Sequence, residues 1–199
     1  MRNTISRLFA LVVMTLAFAV PAVSVPAHAD SSARPDIVFE VFPHEGHGVS
    51  FWNSWGAKRS GGRRHAGIDI MSPRGTKILA VADGVVTAMG WHRMSGYFIR
   101  VLHADGWMSV YMHLNNDTLG TDDGAGGTWS AFAPLLKEGD TVRAGDVIGF
   151  VGDSGNAEGT RPHTHFELRD GDTKVNPNEY LRDAWNRQQW SASTGGAPQ

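Results

Sequence analysis

The chain has 199 residues, with 18 Lys and Arg against 20 Asp and Glu and a formal net charge of −2. So mild an acidic balance argues against electrostatic capture by nucleic acid or an anionic lipid surface. With no cysteine, disulfides and thiol-linked lipid are excluded, and stability must come from an apolar core, a bound metal, or both.

Residues 1–29 carry Arg2 and Arg7, an apolar run from Leu8 to Val20, then Pro21 and a small-residue stretch ending Ala27-His28-Ala29. This is the three-part pattern of a secretory signal peptide, and the mature chain is expected to begin at Asp30. The run is short for a bilayer span and stops at Pro21, so no stable membrane anchor is expected. Loss of Arg2 and Arg7 takes the formal charge from −2 to −4. About 170 residues then remain, enough for one well-buried domain. An extracytoplasmic location follows.

Residues 30–36 read as a flexible lead-in. Ile37 to Phe42 suits a first strand closed by Pro43, and Phe51 to Arg64, rich in Gly, Ser, Arg and Trp, reads as a loop. Four β-type runs follow: Lys77 to Ala82, Gly84 to Met89, Tyr97 to His103 and Met108 to His113. Turn residues at Asp83-Gly84, Ser95-Gly96 and Asp105-Gly106 separate them, the last two suited to hairpins. A helical period emerges only at Asn176 to Gln188. Residues 187–199, small and polar from Ser191 on, are expected to form a disordered tail. The reading is a mainly β, single antiparallel domain over 37–186.

Two segments invite other readings. Asn115 to Ala131 places Asn115, Asn116, Asp117, Asp122 and Asp123 among glycines. Those are calcium-type ligands, but the spacing fits no EF-hand and lacks a closing Glu, so a solvated loop is expected. Glu138 to Gly149 resembles the hairpin of biotinyl and lipoyl carriers without the lysine at its tip.

Chemistry concentrates in histidines. In Pro162-His163-Thr164-His165-Phe166-Glu167-Leu168, strand alternation puts His163, His165 and Glu167 on one face and Thr164, Phe166 and Leu168 on the other. The two imidazoles are then either a solvent-facing pair or close enough to share a metal or a water on it. His65-Ala66-Gly67-Ile68-Asp69 brings two donors to one ion only if the chain bends, and Gly67 permits a bend. In Val110-Tyr111-Met112-His113-Leu114, Tyr111 and His113 share a face, opposite Val110, Met112 and Leu114. His103 reads as structural. His44 and His47 sit three apart beside Pro43 and Gly46, against a helical zinc motif. His65, Asp69 and one of the paired histidines would make a three-donor zinc site with an open position. His113 and the other strand histidine would then be free to handle protons.

Together these stretches resemble the lysostaphin/LytM-type zinc metallopeptidases, the M23 family. The resemblance rests on Gly62-Arg63-Arg64-His65-Ala66-Gly67-Ile68-Asp69-Ile70, Gly84-Val85-Val86, Val110 to Leu114, Gly145 to Gly149, Pro162 to Glu167 and Val175-Asn176-Pro177. It implies a barrel-sandwich-like β fold, one Zn2+ bound by His65, Asp69 and His165, and catalysis by His113 and His163. It also implies a secreted, monomeric endopeptidase acting on peptidoglycan cross-bridges or stem peptides in the cell wall. The segment 115–131 departs from the family pattern and is expected beside the cleft. A catalytically inactive relative that binds cell wall or activates another hydrolase is the alternative. A serine protease built on Gly152-Asp153-Ser154-Gly155-Asn156 lacks a following glycine and a triad histidine. A cupin would need a glutamate a few residues after the second histidine, where Arg169 and Asp170 stand instead.

Overall fold

The structure, a computed structural model, describes residues 36–194. The expected signal peptide at 1–29, the lead-in up to residue 35 and residues 195–199 of the tail lie outside them. None of the described helices is long and apolar enough to cross a membrane.

Turn residues cut the chain into short runs that pair antiparallel throughout. The strands are β1 (Ile68–Met71), β2 (Lys77–Leu79), β3 (Gly84–His92), β4 (Gly96–Leu102), β5 (Trp107–Leu114), β6 (Thr141–Val142), β7 (Val147–Phe150), β8 (His163–Asp170) and β9 (Thr173–Val175). Helices α1 (Gly127–Ala131) and α2 (Asn178–Thr194) complete the set. A seven-stranded sheet has the order β1-β8-β5-β4-β3-β6, with β9 also on β8, while β2 and β7 form a two-stranded sheet. Both expected hairpins form. At the β4–β5 turn Asp105 and Gly106 have φ of 53° and 76°, the left-handed pair that tight hairpin turns require.

Alternation separates the faces of the large sheet. On one, Phe166 opposes Ile68 of β1 and Tyr111 of β5, and all three are fully buried. The Tyr111 ring meets Phe166 edge-on at 5.2 Å. Leu181 and Ala184 of α2 join this core, and Trp185 packs edge-on to Phe42 at 4.9 Å.

Three expectations change. Residues 37–42 form no strand: Phe39 and Phe42, three apart, are both buried, whereas a ladder would alternate them. The segment instead plugs aromatics under α2, with Glu40 N–H donating to Val81 O at 2.8 Å. The carrier-like hairpin is divided, since β6 pairs with β3 and β7 with β2. Helix α2 runs to Thr194, past the expected boundary and through the first part of the expected tail.

Residues 115–126 form a loop ending in α1. Its acids already have a cation. The Arg74 guanidinium, in the β1–β2 connection, pairs with fully buried Asp117, with Asp122 at 3.0 Å and with fully buried Asp153 at 2.7 Å. Those charges hold Arg74 protonated, its pKa raised first by Asp153. Asp123 caps the loop instead, accepting from Thr118 Oγ1 at 2.6 Å.

Candidate metal centre and its cleft

The other face of the large sheet floors a groove of about 1190 Å³ lined by His65, Asp69, His113, His163 and His165, among others. Each of the five expected site residues therefore reaches one cleft, by different routes.

β8 supplies two by simple alternation. Thr164, Phe166 and Leu168 are fully buried on the core side, leaving His163 and His165 on the cleft side. Across β1, Asp69 opposes His165 directly. His65 arrives through the bend at Gly67. Glycine is needed there for closeness: a Cβ would lie 2.3 Å from Phe166 O and 2.9 Å from His165 Nε2. The loop before it grips His65 by its backbone, His65 N–H donating to Ala57 O at 2.8 Å and Gly56 N–H to His65 O at 2.9 Å.

His113 departs from the expected alternation. Phe98 opposes Met112 and Tyr97 opposes Leu114, so His113 is the extra residue of a β-bulge. Its φ is 61°, a left-handed conformation uncommon for a residue with a Cβ. The bulge turns His113 away from the Tyr111 side and into the cleft, and sends Leu114 into the core in its place. Ser95 O holds the bulge by accepting from His113 N–H at 2.8 Å. Ser154 holds it from the other side. Its carbonyl accepts from His113 Nδ1 at 2.9 Å, and its Oγ donates to Leu114 O at 2.5 Å while accepting from Tyr97 N–H at 2.9 Å. Fully buried Ser154 is thus a clamp, which removes the serine-nucleophile reading.

Carbonyl and carboxylate oxygens only accept, so they dictate the imidazole tautomers. His65 Nδ1 donates to Ser54 O at 2.9 Å, and His163 Nδ1 to Arg161 O at 2.8 Å. With His113 Nδ1 also committed, these three rings carry their lone pairs on Nε2. In His165 the order reverses: Nε2 lies 3.4 Å from Glu167 Oε1, leaving Nδ1 free. The free atoms of the first site then converge, His65 Nε2 lying 2.8 Å from His165 Nδ1 and each 3.0 Å from Asp69 Oδ1.

Three lone pairs aimed at one another repel unless a cation sits among them. A tetrahedral ion with bonds near 2 Å holds its donors about 3.3 Å apart, so the cluster fits one after opening by a few tenths of an ångström. Without a metal, a proton is drawn in. Burial opposes the His165 imidazolium, but Asp69 and Glu167 outweigh it and its pKa is raised. Burial likewise opposes the Asp69 carboxylate, yet bonds to His165 and His65 hold its pKa well below the usual range. Arg59 Nη2 donates to the outer oxygen, Asp69 Oδ2, at 2.5 Å.

Behind the donors sits Glu167, a residue sequence reasoning placed on the right face but gave no task. It is buried, and its pKa is lowered to about 2: burial is outweighed by bonds from His165, from Lys174 at 2.9 Å and from Arg169 at 2.6 Å. Ser154 and Ser54 were also missed. Ser54 acts through a backbone carbonyl and has no residue signature, whereas Ser154 stood in a motif read for nucleophilicity.

His113 and His163 stand together beside the donors, ring centres 5.2 Å apart, with His113 6.1 Å from His165. Burial, with His163 and His165 nearby, lowers the His113 pKa to about 4 despite its bond to Ser154. It is therefore neutral at pH 7. Elsewhere, His44 is buried with its ring nitrogens on Ser72 Oγ at 2.6 Å and Thr164 Oγ1 at 2.9 Å. His103 lies between Asp83 O and Ser109 Oγ. Both are structural.

The family model described as Peptidase family M23 matches residues 63–177. The chain is 40% identical over 115 residues to the DD-carboxypeptidase/endopeptidase Mpg of Neisseria meningitidis, covering 58% of this chain and 22% of that protein. It is 32% identical over 152 residues to the L-Ala--D-Glu endopeptidase of Bacillus subtilis, covering 71% of this chain and 42% of that one. Among solved structures, the catalytic domain of lysostaphin from Staphylococcus simulans superposes with a TM-score of 0.53 at 27% identity, over 67% of this chain and 92% of that domain. The match thus spans less than half the length of either curated relative.

Proposed function

We propose, from the fact that this chain belongs to peptidase family M23, that it is an exported zinc metalloendopeptidase hydrolysing peptide bonds in peptidoglycan cross-bridges or stem peptides. Residues 1–29 would be its export leader and 37–186 its catalytic domain. One observation carries the reading: three metal-type donor atoms converge on a common point, with two further imidazoles beside them in an open groove.

His65 Nε2, Asp69 Oδ1 and His165 Nδ1 would hold the ion. Zinc, which suits two imidazoles, a carboxylate and no thiolate, supplies Lewis-acid polarisation of the scissile carbonyl and makes water acidic near neutral pH. Ser54 O and Glu167 keep the two ligand rings turned with their free nitrogens inward. Neutral His113 accepts at Nε2 the proton of a water as its oxygen attacks the carbonyl carbon. His163, its Nδ1 fixed on Arg161 O, presents the Nε2 lone pair to accept a hydrogen bond from the attacking water and so orient it. The C–N bond then breaks, the proton passes to the leaving nitrogen, and no covalent intermediate forms with the protein.

The test is metal content together with mass spectrometry of digested peptidoglycan. One zinc per chain and released peptides are expected, with release abolished by a chelator. His165→Ala is expected to lose both metal and activity. His163→Ala is expected to keep its metal and lose activity by about 10²–10⁴-fold. A folded, zinc-loaded protein that releases no peptide would refute the reading in favour of an inactive wall-binding relative.

A further inference from the structure

In a chain of net charge −2, the cleft is strongly cationic. Among the described residues its only lining carboxylates are Asp69 and Glu167, and both are committed, Asp69 to His65, His165 and Arg59, Glu167 to Arg169 and Lys174. Four more arginines line the same groove: Arg63, Arg64, Arg100 and Arg161. None of the four pairs with a carboxylate among the described residues. Arg63 and Arg64 are held on the backbone carbonyls of Ser60 and Gly56.

Arg100 is placed differently. It opposes Val110 of β5, which opposes Glu167 of β8, so all three share the cleft face. Its guanidinium lies over the Phe98 ring, 5.4 Å from the centroid. Its Nε is buried with no hydrogen-bond partner. A buried N–H without an acceptor is unfavourable until a ligand brings one, and the guanidinium fork matches a carboxylate with two parallel bonds. Two strand spacings put Arg100 about 10 Å from Glu167 at the backbone. An extended peptide advances about 3.4 Å per residue, so Arg100 reaches groups within about three residues of a bond held at the metal donors.

We propose that this cleft selects anionic peptides, with Arg100 binding a free carboxylate on the substrate a few residues from the cut bond. The proposal rests on the peptidase reading and names the substrate class of that site. A neutral glycine bridge offers Arg100 nothing to hold. A peptide with free side-chain or terminal carboxylates satisfies the buried Nε and the cationic wall together.

Two synthetic peptides of one sequence test it, their carboxylic acids free in one and amidated in the other. The zinc-loaded wild type is expected to cleave the acid form with a kcat/KM at least about tenfold higher, a preference that shrinks as salt rises. In Arg100→Gln the acid-to-amide ratio is expected to fall toward one. Arg143→Gln, an exposed arginine outside the cleft, should retain the wild-type ratio. Equal cleavage of both peptides by the wild type, or an unchanged ratio in Arg100→Gln, overturns the proposal. Calorimetric binding of the same pair, its cleavable amide replaced by a methylene-amine, to metal-free protein separates the two readings. Preference in binding with no cleavage of either peptide refutes the peptidase and keeps the anion selectivity. Peptidoglycan digestion without preference does the reverse.

Discussion

The cleft is built by two neighbouring strands that position their histidines in opposite ways. β8 is regular: alternation alone sends His163 and His165 to the cleft while Phe166 and Leu168 enter the core. The end of β5 is irregular, and His113 reaches the same cleft only because a bulge reverses the alternation. A regular strand carries its side-chain directions in its own pattern. A bulge borrows its geometry from distant partners, here Ser95 and Ser154, and is open to disruption from them.

That contrast is sharpest at Gly96, which packs on Ser154 beside the bulge. With φ of 61° and a would-be Cβ 2.1 Å from Ser154 Oγ and 2.4 Å from its carbonyl carbon, Gly96→Ala forces the backbone apart. A loss of more than about 2 kcal/mol is expected in denaturant unfolding. Any folded fraction is expected to bind metal and be poorly active, because the three donors lie on β1, β8 and the preceding loop.

Ser154→Ala cuts the clamp without adding bulk. It removes the donor to Leu114 O and the acceptor for Tyr97 N–H, leaving both unpaired in a buried place. About 1–3 kcal/mol of stability should go. The kcat is expected to fall about tenfold with zinc content unchanged, since a looser His113 lowers catalysis and not ligation. A nucleophilic serine would instead lose all activity, so residual turnover distinguishes clamp from nucleophile.

The effect on the core face of β8 is absent at pH 7 and grows only as the pH falls. His44, bonded to Thr164, has its pKa lowered to about 3, first by burial and then by His163. Its unfolded form takes a proton near 6.5, so between that pH and about 3 the unfolded chain binds more protons and stability falls as pH falls. The stability of wild type relative to His44→Gln, measured on metal-free protein, should therefore drop by about 1.4 kcal/mol per pH unit below 6.5. A difference independent of pH from 7 to 4 would mean that His44 is not buried neutral.

Much of this molecule is legible along the chain, because it depends on spacing within one segment. The period-two run at His163–Leu168, the paired glycines and aspartates of the hairpins, and the bend at Gly67 each declare their geometry locally. The His65, Asp69 and His165 set followed from family resemblance, and the convergence of their free nitrogens awaited the fold. What depends on partners far along the chain stayed hidden. Phe39 and Phe42 look like a strand until α2 arrives to cover them. The acids of 115–131 read as a solvated loop until Arg74, some forty residues earlier, brings their cation. The direction of His113 and the work of Ser154 and Glu167 were likewise decided only in three dimensions. A bulge, a buried ion pair and a tautomer are each settled by the atoms opposite, and the order of residues along one strand does not name those atoms.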